Sequence, residues 1–280
     1  MATHIASDLL QTYRRKTFHL TPGTRLQNLN DAVEFVEARG FVTLWPIQSV
    51  DLPSLWTATA GDRPVASEHD DPGHITWGWK DEMLDKRKWY YGKLLRGKAT
   101  IVSLEVIPYF YALSDRVGEA DDYRLAYEDG HLTYESLRVA DALLKNGPQH
   151  TIQLRRLSHL SASQSKSRFN KAISDLQRGL WIVPVGVARA GAWHYAFIYE
   201  LFDRWFMNIT AQARPITLAE ARTELARRYL DSVGLSTAKD IGRLFRWRLK
   251  ETQKALNTLA EEKLALLCEE ERWATTRLVD

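Results

Sequence analysis

The sequence predicts an α+β fold, predominantly helical, and three observations carry that reading. Between residues 163 and 201 the hydrophobic period switches from that of a helix to that of a strand. Phe169, Ala172, Ile173 and Leu176 recur at the i, i+3, i+4, i+7 spacing of one face, while Ser165, Lys166, Arg168, Lys171, Asp175 and Arg178 face elsewhere. Gly179 can close this helix as a C′ residue, and residues 180–187 and 192–201 then read as two strands joined at Arg189-Ala190-Gly191. Two helical segments come before it. Residues 132–146 carry Leu137, Ala140, Leu143 and Leu144 on one side and stop at Gly147-Pro148, and Thr151 caps a shorter segment bearing Leu154, Leu157 and Leu160. The same order returns about 85 residues later, with little identity, which is the mark of an internal repeat. Helix, short helix, basic helix and hairpin make a winged-helix module, in which the third helix fits a major groove and the hairpin touches backbone.

Composition bounds the remaining possibilities. At 280 residues the chain is long enough for two or three modules and a sizeable core. With 45% hydrophobic and 26% charged residues it reads as a globular protein. The net charge of +3 says little, but its distribution is uneven. Residues 132–199 hold nine Lys or Arg against three Asp or Glu, whereas residues 250–280 hold five against seven. The single cysteine, Cys268, excludes an internal disulfide and a zinc site built from several thiolates, and fits a reducing compartment. No apolar run approaches the ~20 residues of a membrane span, and the N-terminus lacks the basic-then-apolar order of a signal peptide. A cytoplasmic location is the expectation, with no cofactor, no metal and no membrane partner.

Taken in order, residues 1–25 are polar and basic, with Tyr13, Arg14, Arg15, Lys16 and Phe18 ahead of a Thr21-Pro22-Gly23 break, and read as an arm or a short leading helix. Residues 26–113 form a first winged-helix-like module. Leu29, Val33, Phe35 and Val36 give it a helix that Gly40 ends, and Pro46 and Pro53 hold residues 41–56 to strand and turn or to two short helices. Residues 114–131, with Asp115, Glu119, Asp121, Asp122, Glu128 and Asp129, are acidic and read as a linker. Residues 132–205 are the second winged helix and residues 216–280 the third. In the third, residues 218–233 give a helix closed by Gly234, Ser236 or Thr237 caps a short one, residues 248–261 form the next, and residues 263–267 with 272–279 make the hairpin. Its outer face mixes Arg248, Lys250, Glu251, Lys254 and Glu261, and its hairpin tip is Glu269-Glu270-Glu271. Phosphate would be repelled there, so this module is assigned a structural role or a protein contact.

Residues 75–113 carry the second functional signal. Trp77, Trp79, Trp89, Tyr90 and Tyr91 alternate with Lys80, Lys86, Arg87, Lys88, Lys93, Arg96 and Lys98, and no acid falls between Lys86 and Leu104. Cations displace the counterions of a phosphate backbone, and an exposed aromatic face stacks a base for about 1–3 kcal/mol. The plainer reading is that the aromatics are core residues and the lysines a solvated face. The expected contacts to double-stranded DNA are Lys166, Arg168, Lys171, Arg178 and Arg189, joined by Lys86, Arg87, Lys88, Lys93 and Arg96, with Trp45, Trp77 and Trp79 lining a base pocket.

A family resemblance rests on the order of these stretches: LLRGKATIVSLEVIPYF (94–110), RFNKAISDLQRGLWIVPVG (168–186) and EARTELARRYLDSVGLSTAKDIGRLF (220–245). From about Leu26 onward the chain resembles the AlkZ and YcaQ group of tandem winged-helix DNA glycosylases, associated with alkylated bases and interstrand crosslinks, and is most similar to the divergent AlkZ-related branch. The resemblance implies duplex DNA as partner and a Gln-x-Gln or Gln-x-Asp motif after the first helix, whose side chains position the attacking water. The equivalent stretch here is Thr43-Leu44-Trp45, which carries neither group. It also implies a C-terminal β-barrel, and this sequence ends where the third hairpin would.

Base excision needs a carboxylate or amide that fixes a water, or an amine that forms a Schiff base. Gln48 and Asp51, spaced Gln-x-x-Asp, or Asp70 and Asp71 near His69 and His74, could serve the first route. Lys80 beside Asp81, among tryptophans, could serve the second. Each also has a plainer reading as a turn, a cap or a surface pair. Three functions therefore compete: a glycosylase, a non-catalytic lesion sensor or transcriptional regulator of the same architecture, and a protein-interaction scaffold.

Overall fold

The computed structural model describes residues 4–114, 116 and 118–279; Asp115 of the acidic linker lies outside them. The leading segment forms α1 (Ser7–Thr17), with Arg14, Arg15 and Lys16 in the last turn where cations meet the negative end of the helix dipole. It is docked rather than free. The Tyr13 hydroxyl donates to the Asp231 carbonyl at 2.8 Å and Arg14 Nε to the Val233 carbonyl at 2.9 Å, so it lies along the third unit.

Three units then follow with one and the same element order. The first comprises α2 (Leu29–Arg39), β1 (Phe41–Thr43), α3 (Leu55–Ala60), α4 (Ile75–Met83), β2 (Trp89–Lys93) and β3 (Ala99–Ser103). After α5 (Ile107–Ala112) and α6 (Tyr123–Glu128) comes the second: α7 (Tyr134–Asn146), β4 (Gln149–His150), α8 (Thr151–Leu157), α9 (Lys166–Arg178), β5 (Ile182–Ala188) and β6 (Ala196–Leu201). Short helices α10 (Phe202–Trp205) and α11 (Ile209–Ala213) lead to the third: α12 (Leu218–Val233), β7 (Leu235–Thr237), α13 (Ala238–Phe245), α14 (Leu249–Glu261), β8 (Ala265–Leu267) and β9 (Arg272–Thr275). Each unit closes a three-stranded antiparallel sheet in which the last strand lies between the other two: β1-β3-β2, β4-β6-β5 and β7-β9-β8. The repeat is therefore threefold. Its clearest mark in the sequence is a glycine at each corner from first helix to first strand. Gly40, Gly147 and Gly234 sit at φ of 80°, 70° and 80°, a left-handed backbone that other residues reach at about 1–2 kcal/mol.

Local chemistry explains most boundaries. Asn28, Ser54, Thr133, Thr217 and Thr237 each accept a backbone N–H in the first turn of the helix they precede. Thr151 is the first residue of α8 rather than its cap; His150 Nδ1 takes that place, 3.4 Å from the Gln153 amide. Gly179 does end α9, but its φ is −86° and the left-handed residue is Leu180 at 57°. Glycine is needed there for space, because a Cβ would lie 2.4 Å from Trp181 Nε1. The turn of the second hairpin spans 189–195, longer than the three residues the sequence suggests, so 192–195 lie outside β6.

One apolar core crosses all three units: Phe41, Tyr90 and Val102 of the first meet Leu180, Val183 and Phe202, and Leu225, Ile241 and Leu256 of the third. Smaller cores fill the second unit, around Phe169, Leu176 and Leu143, and the first, around Phe35, Leu44 and Ile101. Phe169 and Leu176 of α9 are fully buried, and each such side chain contributes roughly 1.5–3 kcal/mol. The acidic segment after α5 is packed as well. Arg116 is buried against Asp122 at 2.9 Å, Asp203 and the Leu180 carbonyl, and Tyr123 of α6 donates to Asp141 at 2.7 Å. Asp122 of this segment, together with Asp203, neutralises the interior arginine, and Tyr123 ties the segment to α7.

Candidate nucleic-acid interface

Helix α9 presents Lys166, Ser167, Arg168, Asn170 and Lys171 to solvent, and no acid occupies its first turn. The positive end of the helix dipole thus points the same way as the cations. Arg168 remains 60% exposed while paired with Glu135 at 2.9 Å, and Lys171 69% exposed while paired with Asp175 at 2.5 Å. The C-terminal half of the helix is covered. The Tyr90 hydroxyl donates to the Gln177 carbonyl at 3.3 Å, Gln177 Oε1 accepts from the Lys93 amide at 3.2 Å, and Lys93 Nζ reaches Ser174 Oγ at 3.3 Å. These bonds lay β2 along the C-terminal half of α9, with Lys93 beside Ser174 and Gln177. Arg178 is half-buried and paired at 2.9 Å with Asp175, the carboxylate that also holds Lys171.

The other sequence-predicted contacts sit on turns. Lys86, Arg87 and Lys88 are exposed between α4 and β2, with the Arg87 guanidinium 4.1 Å from the Trp205 ring centre. Arg96 is exposed at the β2–β3 turn and Arg189 at the β5–β6 turn. Sequence reasoning missed Trp193 on the same turn, 90% exposed, whose position in a run of alternating residues gave no sign of it.

The aromatic residues divide. Trp79 is 6% exposed and packs among Phe35, Leu44 and Trp89 in the first-unit core, so it lines no open pocket. Trp45 and Trp77 pack with ring centres 5.5 Å apart and planes tilted by 31°, and Trp77 leans on Tyr195 at 5.7 Å. Beneath them Lys80 is sealed from solvent. Its ammonium lies 2.6 Å from Asp81 Oδ1, donates to the Tyr195 hydroxyl at 2.7 Å, and stands 3.9 Å from the Trp77 ring centre and 4.7 Å from that of Phe197. Burial pushes the Lys80 amine below its ordinary value, against the pull of Asp81. Burial also raises the Tyr195 hydroxyl, reinforced by its hydrogen bond to Asp81. A lowered amine suits nucleophilic chemistry, but an enclosed one cannot meet a sugar, so here the group pins α4 to the β5–β6 hairpin. Tyr195 lies 115 residues away and could not be paired with it from sequence.

The remaining candidates do not converge. Gln48 is exposed. Asp51 is held by Arg14 Nη2 at 2.9 Å in a cleft with Tyr229, Asp240 and Arg243. Asp71 pairs with Arg63 at 2.6 Å and accepts the Gly73 amide at 2.8 Å, the turn role open to it from the start, and the Arg63 contact holds its carboxyl below the usual range. Asp70 and His69 are exposed, and His74 is bonded to the Ala66 carbonyl at 3.1 Å. Among the described residues no group of three or more His, Cys, Asp or Glu could hold a metal ion, and no helix is long and apolar enough to cross a membrane.

With this geometry in view, comparison with known proteins is decisive for the family: the AlkZ-related family matches residues 26–246. The chain belongs to the AlkZ-related family. A solved structure of similar fold is the Streptomyces sahachiroi DNA glycosylase AlkZ, with a TM-score of 0.64 and 14% identity over 99% of this chain and 71% of that one. No curated protein matches in sequence. In this AlkZ-related chain, Thr43 is completely buried between β3 and the segment before α3, and its Oγ1 makes no hydrogen bond within the protein. The same holds for Nε1 of Trp45, whose ring is taken up by Trp77.

Proposed function

We propose that this AlkZ-related protein binds duplex DNA without cleaving the glycosidic bond, as a lesion sensor or regulator built from three winged-helix modules. The helix–strand–helix–helix–hairpin order, repeated three times with the last strand central, supports the modular reading. The observation that carries the DNA reading is the start of α9, where Lys166, Arg168 and Lys171 are exposed and no acid occupies the first turn. A second cationic residue, Lys93, is docked on the same helix with its Nζ 3.3 Å from Ser174 Oγ, although it lies about 80 residues earlier in sequence. Electrostatic attraction over such a face scales with the number of phosphates neutralised.

The absence of chemistry is supported by the side chains themselves. Thr43 and Trp45, which stand where the resemblance calls for Gln and Gln or Asp, offer no carboxylate or amide to hold a water. Asp51, Asp71 and Lys80 are each engaged by a different charged partner, Lys80 out of reach of solvent, and Gln48 is exposed. Excess protein incubated with a duplex carrying an alkylated base, followed by alkaline strand cleavage, tests both halves. Salt-sensitive retention of the duplex with no new abasic site is expected. Abasic sites appearing in proportion to protein would overturn the non-catalytic reading, and failure to retain duplex at ~50 mM salt would overturn DNA binding.

A further inference from the structure

Where the three units meet, a cleft of about 660 Å³ opens between the β2–β3 turn, the C-terminal end of α9 and the α13–α14 turn. This volume lies within the roughly 300–1,000 Å³ of small-molecule sites. Among the described residues four arginines and two acids line it: Arg96, Arg178, Arg222 and Arg246 against Asp175 and Glu251. Two of the four are already spent. Arg178 pairs with Asp175 at 2.9 Å and Arg222 with Glu251 at 3.0 Å. Arg96 and Arg246 are exposed, engage no carboxylate among the described residues, and reach the cleft from different units. The wall beside Arg246 is aromatic. Trp247 stacks on Phe245 with ring centres 4.5 Å apart and planes at 14°, and Phe245 is fixed edge-on against Phe41 at 5.7 Å. A rigid flat surface next to two uncompensated guanidiniums selects a flat heterocycle bearing a compact anion.

We propose that this cleft binds a nucleotide through a terminal phosphate monoester, with the phosphate between Arg96 and Arg246 and the base on Trp247. The charge count favours a monoester over a diester. A monoester carries about −1.5 to −2 at neutral pH, matching two free cations, whereas a phosphodiester carries one charge. The unit can come from a free mononucleotide or from the phosphorylated end of a broken strand. The site uses neither Lys166 nor Arg168 and shares only Arg96 with the cationic stretch of residues 86–98, so loss of the α9 cations separates it from duplex binding.

Calorimetric titration of the full chain with AMP, adenosine and inorganic phosphate tests it, alongside a short single-stranded oligonucleotide with a 5′-phosphate or a 5′-hydroxyl. Saturable AMP binding is expected, with adenosine and phosphate each at least about tenfold weaker, since each loses one half of the recognition. A 5′-phosphate preference in the oligonucleotide assigns a strand end as the source, and AMP binding without that preference assigns the free nucleotide. Arg96→Gly and Arg246→Gly should each weaken AMP about tenfold or more. Both residues lie at left-handed φ, 52° and 62°, where glycine is at ease, so neither variant should lower the melting temperature. The Lys166→Ala/Arg168→Ala variant, which touches no lining residue of the cleft, should bind AMP as the parent does. Adenosine binding equal to AMP, unchanged affinity in both glycine variants, or no saturation by AMP or the phosphorylated oligonucleotide would each overturn the proposal.

Discussion

Lys80→Met is the most informative single substitution, because it separates a sealed structural lysine from a latent nucleophile. Methionine keeps an apolar stem within the cage of Trp77, Tyr91, Tyr195 and Phe197 and removes only the charge. Against the change stand the contacts to Asp81 at 2.6 Å and Tyr195 at 2.7 Å, worth roughly 1.5–3 kcal/mol each as charge-assisted bonds. In its favour stands the cost of taking an ammonium out of water, which is several kcal/mol. The lowered amine shows which wins: desolvation outweighs the attraction of Asp81. Asp81 is 23% exposed and still accepts the Tyr195 hydroxyl at 2.8 Å, so it is not stranded when the amine goes. Urea unfolding should therefore place Lys80→Met within about 1 kcal/mol of the parent. Lys80→Ala, which empties the cage, should lose about 2–4 kcal/mol. The pH dependence has a definite sign. With the folded value below the ordinary one near 10.4, the unfolded chain binds more protons in between, so the parent gains stability with rising pH there and Lys80→Met does not. A loss of 3 kcal/mol or more in Lys80→Met would show the charge to be net stabilising and refute this reasoning.

Other outcomes follow from the same geometry. Borohydride should trap no covalent adduct with abasic duplex in the parent chain, and an adduct that vanishes in Lys80→Met would return the lysine to catalysis. Gly234→Ala should cost about 1–2 kcal/mol by melting temperature, because φ is 80° and a Cβ would press on Leu10 and Tyr13 at 3.0 Å. Burial raises Tyr111 and Tyr229 to about 12 and lifts Tyr90, Tyr91 and Tyr199 further. Folded tyrosines that stay protonated while unfolded ones ionise near 10 contribute stability below pH 10 that is lost above it, so alkaline unfolding monitored by near-UV absorbance should begin there.

How far the sequence could be read depended on whether the controlling interaction was local. Helix α12 was legible to the residue, since Thr217 with Glu220 makes its capping box and Gly234 its end. The apolar period of α9 and the strand pattern after it placed the second unit for the same reason. The first unit was harder to see as a repeat, because residues 44–54 and 61–74 intervene between its short elements and dilute the periodicity. Site chemistry was hidden further. Asp81 adjoins Lys80 in sequence, but nothing local announces Tyr195 and Phe197, which decide whether its amine meets solvent. Trp77 and Trp79 are two apart on a helix, so they point in different directions, and only packing told which was core. Arg178 and Lys171 share the carboxylate of Asp175, a pairing that helical spacing allows, but that Arg178 also lines the cleft depends on the packing of other units.

The central claim is that one cationic face, led by α9, meets phosphate. The salt dependence of duplex binding by anisotropy, for the parent and for Lys166→Ala/Arg168→Ala/Lys171→Ala, tests it most directly. A linear fall of log K with log salt is predicted, with the slope shallower by about one unit per lost phosphate contact, up to about three in the triple variant. Identical slopes and affinities for the two proteins would contradict it.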